Sequence, residues 1–313
     1  YLTFLVWNIV TTGWLYGSRN PDGSHALLAV ILPVVLNSLL YSTVFILYHW
    51  YKQMQGTYWG LAFFVAIWMA FEKLHLSWEL TWPWLNLGNV FSEYPKLIQW
   101  YDTLGATGGS FWILLVNVFA FYAFRSWEAG RKRQDLIKNS AILLAGILLP
   151  MIISLVKYRT FDEKPAGQIS VLLLQPALDP YNEKYQKDSL TIQSELLALA
   201  EKNAAHADFY IGPETSLPGF GSISETGLEQ SLLLNNVKSF LQRHPKSVFA
   251  TGISSHRFFR EGVPPPNARQ LEPLLWVESY NSAAQIIPGQ KVDVYHKAKL
   301  VPAVEIFPYL QYL

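Results

Sequence analysis

Long uncharged runs in the first half of the chain constrain its fold more than any other feature. Four of them are predominantly apolar and approach or exceed the length that crosses a bilayer: residues 26–50, 56–71, 108–124 and 140–156. A membrane-spanning helix needs about 20 such residues, because its backbone amides must be satisfied within the helix. The sequence therefore predicts a multi-pass α-helical membrane region. Residues 1–16 fit either the end of a further span or an interfacial segment.

The composition of the chain changes near Tyr158. Charged residues make up 15% of the sequence, but beyond this point Glu, Lys, Asp, Pro and Gly reach the frequency typical of a soluble domain. We therefore divide the chain into a membrane region, residues 1–158, and a soluble domain, residues 159–313. A formal net charge of +1, without a basic stripe carrying interleaved aromatics, gives no indication of a nucleic-acid partner.

Basic residues place the loop between the third and fourth apolar runs in the cytoplasm. Lys and Arg in short loops are retained on that side of the membrane. Residues 125–138 contain two acidic residues and five basic ones: Arg125, Arg131, Lys132, Arg133 and Lys138. The following span then leads outward, so we expect the soluble domain outside the cytoplasm and the connection over residues 72–107 on the same side.

That connection is rich in aromatic residues. Its tryptophans are Trp78, Trp82, Trp84 and Trp100. One interpretation is that these tryptophans form an interfacial aromatic belt. The other is that residues 81–88 (TWPWLNLG) form one wall of a path by which lipid reaches the soluble domain. The sequence is compatible with both. We interpret Glu72 and Lys73, at the outer end of a span, as a snorkelling interfacial pair rather than a substrate site.

The soluble domain alternates between strand and helix patterns. A helix is predicted over residues 182–205, with one apolar face formed by Tyr185, Ile192, Leu196 and Leu199. Strands are predicted within residues 168–176, 208–215, 247–253, 280–288 and 291–295, the last two forming a hairpin around Gly289. This order predicts an α/β domain with a largely covered sheet.

Two charged residues of opposite sign lie where predicted strands end. Glu214 follows one strand and is preceded by Pro213, and Lys297 follows another. Such a pair could serve as a general base and an oxyanion-stabilising cation, since strand ends are where α/β sheets present polar groups. Spacing alone favours a solvated ion pair. We expect no metal site or cofactor.

Three strings of the soluble domain resemble motifs of the nitrilase superfamily. LLLQPALDPYNEKY, residues 172–185, is similar to the strand that opens that domain. IGPETSLPG, residues 211–219, looks like the glutamate motif, and VYHKAKLVPAVEIFP, residues 294–308, looks like the lysine motif. Their order, with YNSA at residues 280–283, implies a nitrilase-like domain, an αββα sandwich.

The membrane region narrows the resemblance to one family. WPWLNLG, residues 82–88, and YPKLIQWYDTLGATGGSFW, residues 94–112, resemble the membrane region of the apolipoprotein N-acyltransferases. Membrane spans in front of a nitrilase-like domain are also that family's arrangement. The resemblance therefore covers nearly the full chain, and it implies a protein of the bacterial inner membrane with its nitrilase-like domain on the periplasmic side.

The resemblance assigns roles to three charged residues. Glu214 matches the family's general base, Lys297 its catalytic lysine, and Glu305 the second glutamate of its LVPFGE pattern. The register Tyr-x-Lys-x-x-Leu-Val-Pro selects Lys297, so Lys299 is interpreted as a non-catalytic neighbour. The departures from the family pattern are Gly212, where an aromatic residue is common, and Ala303 and Val304, where Phe and Gly are usual.

The resemblance also implies a reaction. Glutamate accepts the thiol proton of a cysteine, the thiolate attacks a phospholipid ester to form a thioester, and lysine stabilises the oxyanion. The amine of a diacylated apolipoprotein then takes the acyl chain. The family's cysteine follows the lysine motif, and the sequence contains none, so we expect the chain to be C-terminally incomplete and inactive by itself.

Two other functions fit the same residues. One is a membrane-tethered, nitrilase-like amide hydrolase, in which water replaces the amine as acceptor. The other is a non-catalytic scaffold that has lost its nucleophile. A lipid-accessible cleft favours transfer over hydrolysis, and a cysteine encoded beyond the lysine motif would exclude the scaffold.

Overall fold

The computed structural model of the protein describes residues 1–20, 22–130, 132–163, 166–179, 187–203, 207–218, 221–260, 262–265, 267–302, 305–306 and 308–309. The chain divides into two compact units, Tyr1–Lys164 and Pro165–Leu313. The first is helical and the second is built on a β-sheet.

The first unit consists mainly of long apolar helices. Its α-helices are α1 (Leu2–Thr12), α2 (Leu27–His75), α3 (Tyr101–Glu128) and α4 (Arg133–Thr160). The last three are long and apolar enough to cross a membrane, and they contain the four predicted runs except Ala26, which precedes α2. The prediction of a multi-pass helical region is therefore confirmed. Helix α1 has 11 residues, which at about 1.5 Å per residue is too short by itself to cross roughly 30 Å of hydrocarbon.

Helix α2 is an antiparallel hairpin of two helices. Gly56 leaves the helical conformation with a φ of 82°, which glycine adopts without steric cost. The two arms pair across this point: the rings of Tyr51 and Phe63 stack with centroids 4.3 Å apart. A Cβ at Gly60 would lie 2.7 Å from the Cβ of Lys52, so the arms approach closely because this residue is glycine. The arms are the first two predicted spans.

The segment between α2 and α3 is anchored by a buried carboxylate. It contains the 3₁₀ helices Pro83–Leu85, Leu87–Phe91 and Pro95–Leu97. Glu72 is only 4% exposed; it accepts hydrogen bonds from the indole Nε1 of Trp68 at 3.1 Å and the backbone N of Leu87 at 2.9 Å. The interpretation of Glu72 as a snorkelling residue is therefore wrong, because its donors lie inside the helical unit. Lys73 is exposed.

The second unit contains a mixed sheet. Its strands are β1 (Val171–Leu173), β2 (Phe209–Ile211), β3 (Ile223–Ser224), β4 (Val248–Phe259), β5 (Arg269–Glu272), β6 (Leu275–Ile286) and β7 (Asp293–His296). The order is β1-β2-β4-β6-β5, with β3 paired to β4 and β7 to β6. Strands β1 and β2, and β2 and β4, pair in parallel, whereas β4–β6, β5–β6 and β6–β7 are antiparallel.

Helices α5 (Ser189–Asn203) and α6 (Leu232–Gln242) form the core with the sheet. Its fully buried members include Leu196, Leu234, Phe249, Ile253 and Ile286. The predicted apolar helix face is confirmed for Ile192 and Leu196, which are buried; Tyr185 lies outside the described residues.

The predicted strands overlap strands of the structure, but two of them are shorter than the strands that the structure contains. The predicted strand 247–253 is the first part of β4, which continues to Phe259, and β6 begins before Tyr280. The hairpin of β6 and β7 is confirmed, and Gly289 in its turn has a φ of 74°. The predicted fold class, a multi-pass helical membrane region followed by an α/β domain, is confirmed.

Candidate active site

A tight turn after β2 presents Glu214. Thr215, the next residue, has a φ of 53°, in the left-handed region that non-glycine residues rarely adopt. Strand β4 binds this turn through two backbone hydrogen bonds. The backbone N of Gly252 donates to the Pro213 oxygen at 3.0 Å, and the Leu217 N donates to the Gly252 oxygen at 3.0 Å. The position of Glu214 is therefore set by backbone hydrogen bonds to a central strand.

This arrangement requires a glycine at 252. A Cβ there would lie 2.3 Å from the backbone N of Thr215 and 2.6 Å from the Cα of Glu214. Gly212 is similarly confined, since a Cβ would lie 2.2 Å from the Oγ1 of Thr251. The Gly212 departure from the family pattern thus fits the local packing. Ala303 and Val304, the other departures, lie outside the described residues.

We expect Gly252→Ala to destabilise the second unit by about 1–3 kcal/mol, because backbone atoms must move to admit the methyl group. Thermal unfolding of the purified protein in detergent would measure this. Gly227→Ala is the matched control, since nothing lies within 4 Å of a Cβ at that position. Equal melting temperatures for the two variants would contradict the proposed support of the Glu214 turn.

Lys297 is brought to Glu214 by the end of β7. The backbone N of Lys297 donates to the Asn281 oxygen at 2.8 Å, which continues the pairing of β7 with β6. Its Nζ donates to the Oε1 of Glu214 at 3.0 Å. The structure therefore brings together two of the residues that the sequence singled out.

Glu305 completes a cluster with these two residues. The Nζ of Lys297 donates to its Oε1 at 2.9 Å, and the backbone N of Val301 donates to its Oε2 at 2.7 Å. The Nδ2 of Asn281 donates to both carboxylates, to Glu305 at 2.8 Å and also to Glu214. We call Glu214, Lys297 and Glu305 the Glu-Lys-Glu cluster.

The two carboxylates differ in their surroundings. The side chain of Glu214 is 60% exposed and that of Glu305 is 19% exposed, while Lys297 between them is 31% exposed. Glu305 bonds a backbone amide as well as Lys297 and Asn281, so its carboxylate is fixed. Glu214 presents the more accessible oxygens and is the group that can accept a proton from a molecule entering the site.

The cluster keeps all three groups ionised. Hydrogen bonds from Lys297 and Asn281 lower the pKa of Glu214. Burial raises the pKa of Glu305, but hydrogen bonds from Asn281 and Lys297 outweigh it and leave the pKa below its usual value. Burial lowers the pKa of Lys297, but the two carboxylates outweigh it and leave the pKa raised. At neutral pH the cluster therefore carries two negative charges and one positive charge.

A cleft of about 360 Å³ opens beside the cluster. Small and apolar side chains form most of its wall, with Glu214, Asn281 and Lys297 grouped among them. Ligand sites commonly combine an apolar wall with a few convergent polar groups. The cleft therefore has an apolar wall next to the polar groups of the cluster.

Two residues of the site were not identified from the sequence. Asn281 lies in the YNSA string, but its contact with both carboxylates depends on pairing between strands. Gly252 lies in the predicted strand 247–253. A glycine inside a strand can indicate close approach of another backbone segment, and this was the signal that the sequence offered. Lys299 is exposed and has no described contact with the cluster.

Comparison with known proteins gives a consistent set of relatives. Residues 1–119 match the family model described as the apolipoprotein N-acyltransferase N-terminal domain. Curated relatives named apolipoprotein N-acyltransferase include those of Chlorobaculum tepidum (24% identical, covering 90% of this chain and 52% of the relative), Rickettsia bellii (28%, covering 76% and 42%) and Aquifex aeolicus (22%, covering 94% and 57%). The chain spans about half the length of the curated relatives it matches.

Proposed function

We propose that the chain is a member of the apolipoprotein N-acyltransferase family and that it carries the membrane anchor and the catalytic cluster of an enzyme that N-acylates lipoproteins, because its N-terminal domain and its curated relatives agree on that family. The acyl donor is a phospholipid, and the acceptor is the N-terminal amine of a diacylglyceryl-cysteine. The soluble domain, residues 159–313, is nitrilase-like. A bacterial inner membrane holds the helical region, with this domain on the periplasmic side.

The observation that carries the proposal is the position of one ammonium group between two carboxylates. The Nζ of Lys297 lies 3.0 Å from Glu214 and 2.9 Å from Glu305. Glu305, which also accepts a hydrogen bond from Asn281, fixes the ammonium, so it can stabilise a developing oxyanion without reorganising. Glu214 is left as the exposed base. A solvated surface ion pair would need neither the second carboxylate nor the shared amide donor.

These groups suit acyl transfer through a thioester. Glu214 takes the proton of a thiol, and the thiolate attacks the ester carbonyl of the phospholipid. The C–O bond then breaks, which leaves an acyl thioester and a lysophospholipid alcohol that takes up a proton. The acceptor amine attacks the thioester, forms the amide and returns the thiol. The sequence holds no cysteine, so the proposed mechanism requires a thiol from outside these 313 residues.

Trapping the thioester tests this mechanism. The complete gene product is incubated with a phospholipid that carries a labelled acyl chain, without an amine acceptor, and then digested for mass spectrometry. We expect one labelled cysteine, released by neutral hydroxylamine as thioesters are. Label found on a serine or a lysine, or turnover without a labelled enzyme, would contradict the thioester route.

The orientation is a separate prediction. Because the 313-residue chain lacks cysteine, single-cysteine variants have no background labelling. Ala129→Cys, in the exposed turn after α3, should resist a membrane-impermeant maleimide until the inner membrane is broken, because the adjoining loop is rich in Lys and Arg. Gln290→Cys, exposed in the β6–β7 turn, should react in cells whose outer membrane is permeabilised. The reverse pattern would overturn the periplasmic assignment.

A further inference from the structure

A second polar network lies on the opposite face of β6 and β7 from the Glu-Lys-Glu cluster. Its centre is Glu225, whose side chain is only 8% exposed. The Oε1 of Glu225 accepts a hydrogen bond from Ser255 at 2.9 Å and lies 2.6 Å from the Nε2 of His296, and its Oε2 accepts from Arg257 at 2.8 Å. Ser255 also contacts the hydroxyl of Ser282 at 2.9 Å.

Burial of the Glu225 carboxylate is the unfavourable part of this network. Burying a carboxylate is unfavourable unless it is paired and hydrogen-bonded. Burial raises the pKa of Glu225, but hydrogen bonds from Ser255 and His296 and the charge of Arg257 outweigh it and leave the pKa lowered. Removing one partner of such a group leaves unsatisfied partners behind. The network therefore resists displacement of any strand that contributes to it.

Strand geometry connects the network to the site. Successive side chains of a strand point to opposite faces, so His296 lies on one face of β7 and Lys297, the next residue, lies on the other. Ser282 pairs with His296 in the register of β6 and β7, while Asn281 accepts the backbone N–H of Lys297. The residues that bind the buried carboxylate thus alternate with the residues that form the cluster.

The stacking of His296 restricts it further. Its ring lies parallel to that of Tyr280, with centroids 4.0 Å apart and an interplanar angle of 7°. Tyr280 is in turn hydrogen-bonded to Glu278 at 2.6 Å. Stacking on Tyr280 therefore sets the orientation of the His296 ring plane, and the hydrogen bond to Glu225 sets the direction in which its Nε2 points.

We propose that Glu225 is a positioning residue of the active site: by binding Ser255 and Arg257 of β4 and His296 of β7 it ties the end of β7 to β4, and so places Lys297 between Glu214 and Glu305. This assignment rests on the proposed function for its catalytic consequence. Its structural consequence, the confinement of the Lys297 ammonium, is measurable without acyl transfer.

The test uses Glu225→Gln in the complete gene product, because the amide keeps the size of the side chain and removes its charge. The probe is acetic anhydride at limiting concentration, and mass spectrometry gives the acetylation of Lys297 relative to the exposed Lys299. In the variant we expect relative acetylation of Lys297 to rise several-fold, since its ammonium is less confined by the carboxylates. We also expect kcat for acyl transfer to fall on the order of tenfold with KM unchanged.

Glu201→Gln is the control for removing the charge of a glutamate that pairs with an arginine and a histidine elsewhere in the domain. Glu201 also pairs with an arginine and a histidine, Arg243 at 3.0 Å and His244 at 3.8 Å, but it lies on α5. It should leave both the acetylation ratio and kcat at their wild-type values. If it changed them as much as Glu225→Gln does, a general effect of removing a paired carboxylate, rather than the position of Glu225, would explain the effect and the proposal would be overturned.

A double variant tests the route of the effect. If Glu225 acts through His296, then Glu225→Gln combined with His296→Gln should lower kcat no more than the stronger single variant. Additive losses would overturn the proposed route. An unchanged acetylation ratio in Glu225→Gln would overturn the positioning role whatever the activity. A raised ratio in a protein without acyl transfer would support the positioning role and refute the proposed function.

Discussion

Glu214→Gln should lower acyl transfer by the complete gene product about 10²- to 10⁴-fold, the usual cost of losing a general base. The substitution removes the proton acceptor with almost no change in size. The amide can still accept from Lys297 Nζ and Asn281 Nδ2, so the turn after β2 should persist. Measurement of kcat/KM and of thioester formation would show the loss, with KM little changed. A variant that forms the thioester at the wild-type rate would show that Glu214 is not the base.

The pH dependence of the wild type adds a check on this role. A base must be ionised to accept a proton, and the pKa of Glu214 is lowered by Lys297 and Asn281. Thioester formation, measured without the amine acceptor so that protonation of the amine does not enter, should therefore be retained as pH falls to the ordinary titration range of a glutamate and be lost only below it, at the lowered pKa. Loss of thioester formation at a higher pH, with no other group titrating there, would contradict Glu214 as the base.

Lys297→Ala should lower activity about 10²- to 10³-fold, because an oxyanion donor in a preorganised site contributes that much. It also removes the cation between two carboxylates, so the pKa of Glu214 should rise and the acid limb of the pH–rate profile should move to higher pH. A pH profile of the rate of thioester formation, without the amine acceptor, would detect both changes. A residue that affects only folding would lower the rate without moving the acid limb, so both changes together would indicate that Lys297 acts in the site.

Lys299→Ala is the matched control for this prediction. Lys299 is two residues further along the chain and exposed, so its loss should change activity little. Equal damage from the two substitutions would show that local positive charge, rather than the position of Lys297, supports the reaction.

Much of the membrane region could be predicted from the sequence. Uncharged runs of nearly 20 residues leave the backbone few alternatives to a helix. The exact position of the chain reversal, at Gly56, could not be predicted from the sequence. The φ of 82° at Gly56 and the close approach of Lys52 to Gly60 depend on how the two helices pack. Glu72 was misread for a related reason. Its donors include the backbone of Leu87, fifteen residues away, and no local pattern shows such a contact.

The candidate site shows a similar division. Glu214, Lys297 and Glu305 were identified through family motifs, and Glu214 and Lys297 also through their positions at strand ends. The sequence could not supply Asn281, since its bridging of two carboxylates requires the register of β6 with β7. Nor could it supply Glu225, which follows β3 and reaches His296 only through the fold. Long-range hydrogen bonds, rather than propensities, decide these contacts.

The most direct test of the proposed function follows the acyl chain to its acceptor. The complete gene product would be mixed with a phospholipid carrying a labelled acyl chain and a diacylated lipoprotein peptide, with the cysteine-free 313-residue chain in parallel. We expect labelled N-acyl peptide and an equal amount of lysophospholipid from the complete protein, and no turnover by the 313-residue chain. Labelled fatty acid without acylated peptide would identify a hydrolase, and turnover by the cysteine-free chain would contradict the thiolate mechanism.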